Sequence, residues 1–574
     1  MKDMLRLFRV LYKNRYAVTK ESNTGKRKLA SSTVMTLSML PMVAVVCVML
    51  GFAAAGLTTR YSAMTLLNAV LSAVQVFILF MTLPSVMSTL YSSEDAGFLA
   101  ALPMRPTAVF FAKLALTYVG ALKTAAVFLI PSMLTVSVTY AALGNPMSYA
   151  FFPLIALIVL IAPVLPLFLI VLFSMPVMWI NSRLKGRAVI KTVFSFVFYV
   201  LLMGAYMALV FYFNTNGIGD EGMITGAVQD GLSSLAGVMY PNASLISMCL
   251  GIDPAKNFGI SFGIWAGIAL LTVLLAMLFY RRITVSSNES GTEERSADPS
   301  FKRTPLLFAL IKRDFLTVIR QPSVAMGTFS NIVLAPVMML MMYFFMQDTG
   351  LDDFSGEMLM TGLVLMYPVI FLAGTNMVSL TAYSREGASF FIGKTLPIPP
   401  KTSVTAKLLF ALMSAGVALI VIFVLAAALY RIDIGSAFGV VIASMLFAAG
   451  GCSLHIYFDI KKGNVNWKTQ SDMRASAGGG VAGMLPVLII IVPAAAFMVG
   501  GMFMAALEES MGRSGVLALY WCLVLVVAAG IAAAGLYILY DKGVPLVEKI
   551  GENRCSASQR RFSGALGRGG SFLK

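Results

Sequence analysis

Twelve stretches of this chain stay apolar for roughly 20 residues or more, the length a helix needs to cross the hydrocarbon core of a bilayer. They fall at about 33–56, 64–90, 107–140, 149–179, 192–213, 257–280, 325–346, 358–382, 402–429, 435–458, 479–504 and 514–540. No other feature constrains the fold as strongly. Without water, a backbone must satisfy its own N–H and C=O groups, so runs of this length are read as helices. The expected fold class is all-α, a polytopic membrane protein. The composition agrees: 59% of residues are hydrophobic and 12% charged, where a soluble domain carries about 25% charged. The run 107–140 is too long for one straight span, so part of it is expected to tilt or project from the membrane.

The net charge of +17 would raise nucleic-acid binding in a soluble protein. In a membrane protein its placement matters more, because Lys and Arg concentrate in cytoplasmic loops. With the N-terminus inside and spans alternating, 38 of the 43 basic residues fall on the inside, four outside (Arg60, Lys256, Arg431, Arg513), and one, Lys123, within a span. This partition gives twelve spans with both termini cytoplasmic, and nucleic acid is not an expected partner. The acids fall in loops or at span ends, none at mid-membrane. Gradient-driven transporters use intramembrane carboxylates as relays or ion ligands, so that class is disfavoured.

Other chemistry is thin. The cysteines Cys47, Cys249, Cys452, Cys522 and Cys555 form no metal-binding or disulfide spacing, and His455 is the lone histidine. It is expected to be a satisfied residue near the cytoplasmic end of its span. Lys123 has two readings: a snorkelling side chain on an over-long helix, or a contact for an anionic substrate in a translocation path. No cleavable signal sequence is expected at the N-terminus.

A segment between the second and third spans recurs in the second half of the chain. Residues 91–113 read YSSEDAGFLAALPMRPTAVFFAK, and 383–407 read YSREGASFFIGKTLPIPPKTSVTAK. Glu94 matches Glu386, Phe98 matches Phe390, Leu102-Pro103 matches Leu396-Pro397, and Lys113 matches Lys407, at offsets of 292 to 294 residues. Basic amphipathic stretches, 1–20 and 304–320, precede the first span of each half, and such helices lie along membrane surfaces. Between the halves, 284–300 reads as a flexible linker. The architecture is therefore two tandem six-helix halves of like topology. A Leu-Pro turn would start the following helix. The matched Glu, Phe and Lys go beyond a simple turn and suggest two equivalent apolar knobs docking two copies of a partner.

Within the second copy, GASFFIGKT (387–395) is one residue off the Walker A spacing. A phosphate loop needs a strand before it and a helix N-terminus at its Lys-Thr. Here a span precedes it and Leu396-Pro397-Ile398-Pro399-Pro400 follows. The first copy has no Gly-Lys-Thr. The stretch is not read as a nucleotide site, and the chain is not expected to be an enzyme.

At the pattern Y-S-x-E-x3-F…L-P-[MI]…A-K the chain resembles the permease subunits of bacterial ABC-2 type exporters, in their fused twelve-span form. Arg320-Gln321-Pro322, after an amphipathic helix, is similar to that family's connecting helix. Tyr240-Pro241-Asn242-Ala243-Ser244 is similar to its re-entrant external region. The second half departs from the pattern in having a short loop, about 505–513, before its last span. The resemblance implies a division into a basic amphipathic N-terminus (1–32), a first six-span half (33–280), a linker and connecting helix (281–324), a second half (325–540) and a basic cytoplasmic tail (541–574).

The resemblance also implies a mechanism. Two copies of a separate ABC ATPase would seat on the repeated segments and rock the halves of an exporter in the bacterial plasma membrane. Glu94, Asp95 and Glu386 would make polar contacts to the ATPase. Phe98, Leu102, Phe390 and Leu396 would anchor it, with Pro103 and Pro397 setting the turns. ATP and Mg would sit on the partner, with no cofactor bound by this chain. The substrate is not readable, since apolar, Gly/Ala-rich and Met-rich spans suit lipids, peptides or drugs equally. The alternative is a gradient-driven secondary transporter built from tandem repeats.

Overall fold

The computed structural model describes residues 2–16, 19–20, 27–28, 60–86, 104–142, 151–183, 192–198, 263–274, 304–320, 333–340, 354–430, 432–462 and 484–549, with isolated positions between them. These residues are helical apart from turns, short connectors and a two-residue antiparallel ladder pairing Thr19–Lys20 with Arg27–Lys28. Among the described residues, six helical stretches, some interrupted by turns or by π and 3-10 segments, are long and apolar enough to cross a membrane: Thr107–Ala142, Phe151–Leu172, Gly356–Gly387, Pro400–Ala428, Ile434–Lys461 and Ala505–Val547. Shorter apolar helices cover Val70–Phe80, Gly263–Leu274 and Leu485–Gly501. The predicted run 33–56 lies largely outside the described residues, and 192–213, 257–280 and 325–346 lie partly outside them.

Helix Pro106–Ala142 is continuous over 37 residues, roughly 55 Å at 1.5 Å per residue. That exceeds a hydrocarbon core of about 30 Å, as the length of the run predicts. Pro131 sits inside it. The predicted run 149–179, by contrast, is two helices, Phe151–Ile161 and Val164–Arg183. Proline explains the break. Pro163 cannot donate to the carbonyl four residues back, nor can Pro166 to that of Ala162. The buried Gln75 supplies the missing donor from another helix, its Nε2 lying 3.4 Å from the Ala162 oxygen.

The two halves repeat one packing relation. The surface helix Lys2–Tyr16 packs on helix 106–142, and the surface helix Leu306–Ile319 packs on helix Pro400–Ala428. The spacing that predicts both surface helices is therefore realised. In the second, Leu310, Asp314 and Val318 form the inward stripe at i, i+4 and i+8.

Helix Ile434–Lys462 is central to the second half. It packs against helix 400–428, helix Glu508–Tyr537 and a π-helical segment, Val369–Gly374. Small residues permit the approach: a Cβ on Gly451 would lie 2.4 Å from the Ala373 carbonyl oxygen, and one on Gly535 2.6 Å from that of Gly450. Close backbone contact of this kind is how helices associate where lipid tails remove the hydrophobic drive. Outward, helix 400–428 shows Met413, Val417, Ile420 and Val424, an apolar face suited to lipid.

Buried apolar residues divide into two cores. The larger runs through the spans. A smaller one gathers Val318, Val378, Tyr383, Phe390, Val404, Leu408, Phe410, Cys452, Ile456 and Ile460 where the second surface helix meets three helix ends. That second core frames the candidate site.

Candidate functional site

The segment that repeats in sequence is, in the second half, a folded elbow. The π-helical segment ends at Thr375, and Asn376 restarts the chain. Its side chain accepts from Val378 N at 2.9 Å and donates to Leu372 O at 3.0 Å, so one residue closes one helix and caps the next. A short helix, Met377–Leu380, leads into a tight 3-10 turn, Ser384–Ser389. Gly387 turns the chain with φ 55° and ψ −135°, a positive-φ conformation that costs a residue with a side chain about 1–3 kcal/mol. Helix Phe390–Thr395 follows, and Leu396–Pro399 runs without helix to Pro400, which occupies the first turn of the next helix. The sequence reading placed the helix-starting proline at 397. Pro400 takes that role instead, its fixed φ and missing N–H suiting the first turn.

Buried charges fasten this elbow to its surroundings. Asp459, on helix 434–462, accepts from the backbone N–H of Tyr383 at 2.7 Å and of Ser384 at 3.0 Å, and from the Ser384 hydroxyl. Lys407, on helix 400–428 and only 2% exposed, donates to Glu386, to the Ala382 carbonyl at 2.7 Å and to Asp314 at 3.2 Å. Its ammonium also lies 4.6 Å from the Tyr383 ring centre. Arg313 reaches Glu386 at 2.8 Å and Asp314 at 3.2 Å from the surface helix. Arg385 is buried, donating to Val378 O at 3.3 Å over the Phe410 ring.

The cations Arg313, Arg385 and Lys407 thus balance Asp314, Glu386 and Asp459. Balance is what allows ionised groups to stay buried, since a lone one would be strongly destabilising. Burial alone would raise the Asp314 carboxyl. Lys407, Arg385 and Arg313 outweigh it and hold the group below its ordinary value. For Arg313, burial pulls the guanidinium down, and Glu386 with Asp314 more than restores it.

This geometry revises two roles read from sequence. Phe390 is 4% exposed, its ring edge-on to Tyr383 at 6.1 Å. It plugs the second core and presents no outward knob. Glu386 is committed to Arg313 and Lys407 within the chain. Leu396, 53% exposed, and Pro397, also exposed, do face outward, beside exposed Lys394 and Thr395. Glu94, Asp95, Phe98, Leu102 and Pro103 lie outside the described residues.

Lys113, the counterpart of Lys407, is likewise buried, at 4% exposure. Lys123 is half-buried on helix 106–142 and takes part in interactions of its own. His455 is buried with Nδ1 3.1 Å from Ser379 Oγ. GASFFIGKT forms a turn and a short helix; its Lys394 bends over the Phe390 ring at 5.7 Å.

Sequence reasoning missed Asp314, Arg385 and Asp459. Only Asp314 left a signal: an acid standing in line with Leu310 and Val318 on a helix whose other face also holds charges.

The twelve apolar runs, the doubled packing relation and the two tandem halves bear on one finding. A family model described as a membrane protein of 12 TMs matches residues 25–540. The chain belongs to this family of twelve-span membrane proteins. No curated protein matches the chain, and no solved structure matches it. In this twelve-span protein the match covers both halves and the linker between them, so the elbow belongs to the family's common span of sequence rather than to an appendage.

Proposed function

We propose that this twelve-span protein is the permease subunit of an ATP-driven exporter of ABC-2 type, in a bacterial plasma membrane with both termini cytoplasmic. Two copies of a separate ATPase bind ATP and Mg and seat on the two repeated segments. The chain itself binds neither nucleotide nor nucleic acid. The transported substrate is left open.

The elbow carries the reading. Its apex, Lys394 to Pro397, is exposed. Its base is joined by buried hydrogen bonds and ion pairs to the surface helix, helix 400–428 and helix 434–462. A push on the apex would reach all three elements together, which is what a rigid lever between a soluble motor and a membrane bundle requires. Under this proposal Leu396 and Pro397, with Leu102 and Pro103 in the first copy, touch the ATPase. Glu386 and Phe390 position the lever, and Glu94, Asp95 and Phe98 are their first-half counterparts. The gradient-driven alternative gains nothing here, because among the described residues the buried acids, Asp314 and Asp459, lie at the elbow and are matched by cations.

The test is purification of the full chain from its native membrane. An ATPase should co-purify, and Leu396→Asp with Leu102→Asp should release it while the chain remains folded. Recovery of an active transporter that needs no ATPase would overturn the proposal.

A further inference from the structure

The N-terminal surface helix shows one face to helix 106–142 and another to its surroundings. Arg6, Arg9 and Lys13 stand at i, i+3 and i+7 on the outward face, all exposed. Leu5 (52% exposed), Val10 (55%) and Tyr12 (40%) flank them. No acid is present among residues 4–13. Like charges at these spacings repel, and exposed apolar neighbours sit badly in water. The arrangement is relieved by a surface that is both anionic and apolar.

Depth in the membrane selects that surface. The second surface helix shows where such a helix sits. Its Asp314 reaches Lys407, and its Phe315 meets Phe410 edge-on at 6.4 Å. Both contacts fall at the second and third turns of helix 400–428, roughly 10–15 Å from its start at 1.5 Å per residue. That helix has 29 residues, or roughly 44 Å, and overshoots a core of about 30 Å by roughly 14 Å. With that overshoot at the end where the surface helix packs, the contact lies at headgroup level. The N-terminal helix packs likewise on the still longer helix 106–142.

We infer that the outward face of Lys2–Tyr16 binds anionic phospholipid headgroups of the leaflet it faces, with Arg6, Arg9 and Lys13 as the phosphate contacts and Leu5, Val10 and Tyr12 entering the acyl boundary. Basic residues beside an anionic leaflet each add about fivefold in binding. The second surface helix carries the weaker version of this face: Lys312 lies between exposed Phe308 and Phe315, while its neighbour Arg313 is drawn inward to Glu386. The inference needs only the membrane location and does not depend on the exporter reading.

The full chain, purified and placed in nanodiscs of phosphatidylcholine alone or of phosphatidylcholine with phosphatidylglycerol, tests it by hydrogen exchange. Amides of the N-terminal helix should exchange severalfold more slowly in the anionic discs. High salt should reduce the difference, and the triple change Arg6→Gln, Arg9→Gln, Lys13→Gln should abolish it. The matched change Lys312→Gln should leave it intact. Equal protection in both lipids overturns the inference, as does an anionic-lipid effect that survives the triple change. Protection that appears only when a soluble partner is added, whatever the lipid, overturns it in favour of a protein-docking face.

Discussion

The two halves of this protein solve the same packing problem with different charges. In each, a surface helix lies on the third span of its half, and each of those spans buries one lysine, Lys113 or Lys407. In the second half that lysine belongs to a larger set that includes Asp314 and Arg385. The repeated segment puts Ser93 at the position of Arg385 and Asp95 at that of Gly387, so the two copies differ in charge. The lesson is that the buried lysine, Lys407 or Lys113, is the fastening that the described parts of both halves share, whereas the charges matched to it around Asp314 and Arg385 are described only in the second half.

The largest expected effect comes from breaking the shared fastening where it carries most. Lys407→Met leaves Asp314 and Glu386 without their buried cation. Losing one partner of a buried pair costs about 3–5 kcal/mol, so thermal unfolding in detergent should show a large fall in midpoint. Lys113→Met is the comparison. A fall at 113 equal to or larger than that at 407 would break the proposed asymmetry.

The charges matched to that lysine make a sharper prediction. Asp314→Asn alone leaves Arg313, Arg385 and Lys407 facing only Glu386 and Asp459, and should cost about 2 kcal/mol or more, in the range for leaving a buried charge poorly compensated. Combining it with Arg385→Ser removes one acid and one base together and should recover at least half of the loss. The double-mutant cycle, read as unfolding midpoints, should show strong coupling. Additive losses would mean the two residues were never a pair.

Acid titration addresses the same residue. The Asp314 carboxyl is held below its ordinary value of 3.8. A group depressed in the folded state contributes stability that is complete above its unfolded value and lost as pH falls through its folded one. The difference in stability between the protein and its Asp314→Asn variant should therefore be constant from neutral pH down to about 4 and shrink only below that. A difference that shrinks between pH 7 and 5 would contradict the assignment.

The sequence exposed the large features and hid the fastening. Spans were legible because lipid forces long apolar helices, and the halves because the segment 383–407 echoes 91–113. Asp314 was hidden because an acid on a surface helix reads as solvated; nothing local shows that Lys407, 93 residues away, meets it. Asp459 was hidden likewise, since it closes the elbow from a helix 75 residues further on. Phe390 was visible, but its burial was not. An aromatic beside a turn has the same local pattern whether it docks a partner or fills a core, and the second core around Tyr383 and Phe410 decides between them. The break at Ala162-Pro163 was readable in principle from two prolines three residues apart, but a long apolar run masked it.

The smallest expected effect lies in the turn itself. Gly387, at φ 55°, aligns with Asp95 in the first copy. At φ 55° with ψ −135° the backbone lies outside the left-handed helical region that Asp and Asn tolerate, in territory used almost only by glycine. Gly387→Ala and Gly387→Asn should therefore each cost about 1–2 kcal/mol through backbone strain, read as unfolding midpoints. Gly387→Asp, which introduces the residue of the first copy, tests something further, because it adds an acid next to Glu386. A loss smaller than that of Gly387→Ala would show that the balanced charges of the second elbow tolerate another anion. A loss as large as that of Gly387→Ala would show that the turns differ in backbone as well as in charge, and that the likeness of the two segments stops at Glu386.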